Sequence, residues 1–276
     1  MMTAGGACRL QELVASGGRI FSADSAPPLS TSKRDEEIAS GLPENLDALP
    51  RLNGFRLRGI EMTRLETFID AAFAFAVTMV VIAADRVPDD LDTLLAAFKN
   101  VPTFVASVIV LGIFWRGHWL WSRRYGLEDG VSRFISWALL VTVLIYIYPL
   151  KALFGSMFYL LSDGQLGQPL GIRTETQART LLSIYALGFT AIAVEILLLH
   201  WRAWQLREPL RLNDRERTLT RADMEGWGIP MSIGIIALVL ALTLPVQYIS
   251  WSGWIYLSMA ILVPVHKRFL RRRRGD

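Results

Sequence analysis

Three acidic side chains stand in or at the edge of long apolar stretches. Glu66 and Asp70 open the run RLETFIDAAFAFAVTMVVIAA (64–84), and Glu195 lies inside the apolar segment 181–200. A carboxyl group at membrane depth costs a few kcal/mol unless it finds a partner, so each calls for a reason. Glu66 and Asp70 are four apart on one helical face, a spacing that could make an acid pair. At an arginine-rich entry turn both can instead pair with arginines. Glu195 has the same two readings, a place in an ion path or an ion pair with an arginine of a neighbouring helix. The three histidines, His118, His200 and His266, fall in separate segments without the spacing of a metal centre. There is no glycine-rich phosphate loop and no Ser/His/Asp arrangement. The single cysteine, Cys8, excludes an internal disulfide framework. Neither an enzyme nor a bound cofactor is expected.

These residues must be held by helices. Of the 276 residues 52% are hydrophobic and nine are tryptophan, a composition of polytopic membrane proteins rather than soluble domains. The fold class is therefore all-α, with about six spans of the roughly 20 apolar residues a bilayer core demands. They are expected at 64–84, 102–121, from 133 through a long stretch broken at Pro149 and Lys151, 181–200, 229–246 and 251–265. Pro149 is expected to kink the third span and leave a short extra helix at the far surface. Residues 201–226 read as a polar, arginine-rich connector. Residues 1–50, rich in Gly, Ser, Ala and Pro, read as a disordered tail without a signal peptide. A short amphipathic lead-in around Arg51–Arg58 is expected, then a channel-sized domain over 51–270 and a basic tail at 271–276.

Arginine placement gives orientation. Arg56, Arg58, Arg64, Arg123, Arg124, Arg133, the cluster at 202–221 and the C-terminal run share one side, while the 85–92 loop is acidic. Both termini are expected in the cytoplasm. The C-terminal HKRFLRRRR follows a span directly, so it reads as topology and contact with membrane lipids, not as a nucleic-acid site.

On a helical wheel at about 100° per residue, Phe68, Phe75, Met79 and Ile82 share a narrow sector, and Asp70 points almost opposite. Arg64, Phe68 and Asp70 stand as R-x-x-x-F-x-D at the start of the first span. The pattern resembles the R-x-x-x-F-S-D signature of the lysosomal potassium channel family and its six-span bacterial relatives. Phe114, Trp115 and His118 form F-W-x-x-H, similar to that family's motif in the second span. The resemblance covers roughly residues 60–265. It implies a homotetramer in a bacterial inner membrane, with the first helix of each subunit lining a central pore for potassium ions. It places the constriction five residues after Asp70, at Phe75, with Met79 and Ile82 as further layers. It also implies that Arg64 and Asp70 tie the first span to Trp115 and His118. Two positions depart from the family: Ile69 replaces the signature serine, and Phe75 replaces a smaller aliphatic constriction residue.

The resemblance implies a passive, potassium-favouring cation channel, in which Asp85, Asp89 and Asp90 would raise local cation concentration at the outer mouth. No carbonyl selectivity filter of the TVGYG type is present, so wetting of an apolar constriction would control conduction. The alternatives are a proton-coupled secondary transporter using Asp70 and Glu195, or a non-conducting member sealed by phenylalanine.

Overall fold

The computed structural model describes residues 38, 41–43, 45–82 and 89–274. A 3-10 turn, Leu46–Ala48, leads into a two-stranded hairpin of β1 (Arg51–Leu52) and β2 (Phe55–Arg56). Then come α1 (Arg64–Ile82), α2 (Leu91–Phe98), α3 (Val101–Tyr125), α4 (Gly130–Leu161), α5 (Glu175–Gln205) and α6 (Asp214–Thr243). The chain closes with α7 (Trp251–Trp254), a 3-10 turn at Ile255–Ser258, and α8 (Met259–Arg274). The hairpin takes the place of the expected amphipathic lead-in, and the ordered turn before it shortens the expected tail.

Local chemistry sets most of the helix ends. Asp90, Thr174 and Asn213 each accept a backbone N–H three residues on, and a side chain there reaches back to the cap. α3 stops where Gly126 turns left-handed at φ +58°, a conformation that favours glycine.

Five segments among the described residues are long and apolar enough to cross a membrane: α3, α4, α5, α6 and Val246–Leu270. The first helix, 19 residues long, spans about 28 Å at 1.5 Å each. Its opening turns carry Arg64, Glu66 and Asp70, which leaves an apolar stretch of only about a dozen residues.

Two expectations are corrected. α4 runs unbroken for 32 residues with Pro149 inside it, so there is no separate surface helix. Long apolar helices tolerate proline when neighbours and local adjustments satisfy the freed carbonyl. The polar connector is shorter than expected because residues 214–226 form the first turns of α6.

The core is a continuous cluster joining α1, α3, α4 and α5, with Ile69, Phe73, Phe114, Leu139, Tyr146, Phe189 and Ile192 at its centre. Phe114 meets Tyr146 and Phe189 edge to face and stacks on Trp227 at 6.3 Å. Gly117 makes this packing possible, because a Cβ there would collide with the Trp227 ring and press on Ile196. Gly117→Ala should lower stability by about 1–3 kcal/mol through overpacking, read as a lower unfolding midpoint in detergent.

Candidate functional site: the uncovered face of the first helix

α1 packs one face into the core. Ile69, Phe73, Ala76 and Val80 recur at helical spacing and are all buried. The opposite face is largely uncovered in the subunit. Phe68 is 50% exposed and Phe75 is 56% exposed, with Ala71, Ala74 and Thr78 exposed around them. An uncovered aromatic ridge on a helix whose other side is fully packed marks a surface that meets something outside this subunit.

Of the expected pore residues whose side chains are described, Phe75 is more open than Met79. Met79 is partly buried against the core, and the Ile82 side chain lies outside the described residues. One turn beyond Phe75 the exposed position is Thr78, whose hydroxyl donates to the Ala74 carbonyl at 3.0 Å. The hydrophobic wheel passed over it because threonine adds little to an apolar sector. Asp85 lies outside the described residues. Asp90 spends its carboxylate on capping α2, and hydrogen bonds from Thr93 hold it below the usual carboxylate range.

The signature residues are brought together in part. Trp115 Nε1 donates to Asp70 Oδ1 at 2.8 Å, fastening α1 to α3. His118 does not join them: its Nε2 pairs with Ser136 Oγ on α4 at 3.2 Å. Phe68 leans on Trp137 of α4, ring centroids 5.2 Å apart. Arg64 is exposed and has no ion pair among the described residues. Trp115→Phe removes a donor to a charged acceptor, worth about 1.5–3 kcal/mol. The expected result is a lower unfolding midpoint in detergent.

Glu66 takes the arginine reading rather than the acid pair, while Glu195 has no arginine partner among the described residues. Glu66 is buried beside Arg123, with Nε 3.3 Å from Oε1. Glu195 takes a hydrogen bond from Thr142 Oγ1 at 2.7 Å instead of an arginine. Both outcomes have a packing cause: Arg123 near the end of α3 reaches Glu66 at the foot of α1, whereas α4 presents a hydroxyl where it meets Glu195.

A second polar centre, missed in the sequence, anchors the basic end. Glu216, fully buried at the start of α6, accepts from Arg56 Nε and Nη2 and from Arg58 Nη2, each at 2.9 Å. The Arg56 backbone N–H also reaches Glu216 Oε1 at 2.9 Å. Hydrogen bonding to Glu216 raises the Arg56 guanidinium above its ordinary value despite burial. Arg124 pairs with Asp223, Arg202 with Asp129 at 2.9 Å, and Tyr125 shares a 2.8 Å hydrogen bond with Thr220. The hairpin ahead of α1 is thereby clamped to α6. The signal was there in the alternating Arg56 and Arg58, but their partner is about 160 residues away.

Residues 64–149, which hold this ridge and both motifs, match the family described as endosomal/lysosomal potassium channel TMEM175. A protein named potassium channel from Marivirga tractuosa is 30% identical over 198 residues, covering 69% of this chain and 79% of that protein. The crystal structure of a variant of the potassium channel MtTMEM175, in complex with a nanobody fusion protein, superposes with a TM-score of 0.70 at 27% identity. That alignment covers 83% of this chain and 100% of the other. A TMEM175 homolog from Chamaesiphon minutus, described as lysosomal and potassium-selective, shares the fold at a TM-score of 0.51 and 20% identity, covering 73% of this chain and 95% of that one. With the ridge, the two motifs and these likenesses in hand, the chain belongs to the TMEM175 potassium channel family.

Proposed function

We propose that the protein is a passive, potassium-favouring cation channel, a homotetramer in the bacterial inner membrane with both termini in the cytoplasm. The observation that carries this reading is the uncovered Phe68–Phe75 ridge on a helix otherwise packed into the core. A fourfold axis would let four such ridges cover one another and enclose a path. Phe75 would form its apolar constriction, with Met79 and Ile82 bordering the layers beyond. An ion would cross by transient wetting of that ring, not by coordination to carbonyls. Asp85, Asp89 and Asp90 would concentrate cations at the outer mouth, an effect that salt weakens. The basic run ending α8 would contact anionic membrane lipids.

A transporter built on Asp70 and Glu195 fits poorly. The two acids have separate partners, Trp115 and Thr142, and make no contact with each other among the described residues.

The test is ion flux in proteoliposomes with opposing potassium and sodium gradients. Flux that follows the potassium gradient without saturating supports the channel. Saturable, pH-coupled exchange lost in Asp70→Asn would replace it with a carrier, and a silent protein that still assembles would make it a non-conducting member.

A further inference from the structure

At the foot of α1, behind the ridge, a cavity of about 20 Å³ lies among α1, α3, α4, the segment before α1 and the loop after α3. Glu66, His118, Ser122 and Ser136 line its inner part, and Glu61 and Glu128 lie on its exposed side. Glu66 and His118 are each 2% exposed. Beyond its ion pair with Arg123, Glu66 Oε1 takes no hydrogen bond, and His118 Nδ1 has no hydrogen-bond partner among the described residues. A buried polar atom left unmatched costs about 1–3 kcal/mol, and His118 Nδ1 is one, on a residue that lines this small space beside Glu66.

We propose that this cavity is a binding site for a single water molecule that bridges Glu66 and His118. The volume suits it, since about 10–15 Å³ is the least that holds one water. The chemistry suits it as well. If Ser136 Oγ donates to His118 Nε2, the neutral ring carries its proton on Nδ1 and becomes a donor into the cavity. The water accepts that hydrogen bond and donates to the Glu66 carboxylate. It leaves the water one more hydrogen and one lone pair for the Ser122 hydroxyl or the Thr63 side of the wall.

A metal cation is a worse occupant. Arg123 already stands 3.3 Å from Glu66 Oε1, and the imidazole offers a hydrogen rather than a lone pair. With the water in place, a continuous polar chain runs from Arg123 through Glu66, water and His118 to Ser136. It joins the foot of α1 to α3 and α4 without a direct side-chain contact between the acid and the imidazole. The joint is independent of whether the ridge conducts ions.

Two measurements test the proposal. A map of the wild-type protein that resolves other buried waters should show a peak within hydrogen-bond distance of both Glu66 Oε1 and His118 Nδ1. An empty cavity, or a direct Glu66–His118 contact, would overturn it. The second is a cycle of Glu66→Gln, His118→Asn and the double variant, followed by unfolding midpoints in detergent. Through a shared water, the double variant should lose clearly less than the sum of the two single shifts. Additive shifts in folded variants would also defeat the bridge.

Discussion

Phe75→Ala should raise potassium flux through reconstituted protein about tenfold or more. In the proposed tetramer four phenyl rings facing one axis would exclude water from the path, and the barrier to an ion would be mainly the work of wetting that ring. Four methyl groups in their place leave room for a hydrated column, and a barrier lower by only ~1.4 kcal/mol is already a tenfold gain. The substitution should cost the subunit little, because Phe75 is 56% exposed and contributes little to the core. Phe73→Ala, one of the buried residues on the other side of the same helix, should instead lower stability by about 3–5 kcal/mol. Equal flux for wild type and Phe75→Ala, both folded, would move the constriction away from this residue.

The second large effect is expected at Glu216. Its carboxylate is fully buried and satisfies two guanidinium groups and a backbone N–H of the β2 segment. Glu216→Gln leaves Arg56 and Arg58 partly buried beside a neutral amide, and breaking one side of such a cluster costs about 3–5 kcal/mol. The expected readouts are a markedly lower unfolding midpoint and faster proteolysis of the hairpin that precedes α1. Glu208→Gln is the control, because Glu208 pairs with Arg217 where both side chains remain open to solvent. Surface pairs of that kind contribute about 0–1 kcal/mol.

Much of this could be read from the residues. Long apolar runs announced the helices, and R-x-x-x-F-x-D with F-W-x-x-H located the Asp70–Trp115 contact, since both residue types and both spans were already known. Three things were not legible, for physical reasons. Pro149 looked like a breaker because proline statistics come mostly from water, where a freed carbonyl exposes itself instead of being satisfied by neighbours. Glu195 invited an arginine because charge suggests charge, yet the residue crossing it on α4 is Thr142. The Arg56–Arg58–Glu216 cluster joins residues too distant in sequence for any local pattern to link them. Thr78 is a smaller case: at the uncovered face its hydroxyl is satisfied by its own helix, so an apolar surface tolerates it.

The lengths of the helices have one more consequence. α4, α5 and α6 run 32, 31 and 30 residues, about 45–48 Å each, against a hydrocarbon layer of about 30 Å. α1 is shorter, at 19 residues and about 28 Å. In the proposed tetramer it would sit behind these taller neighbours and take its depth from protein contacts, so thinning or thickening of the bilayer would strain the outer scaffold first and leave the innermost rod in register.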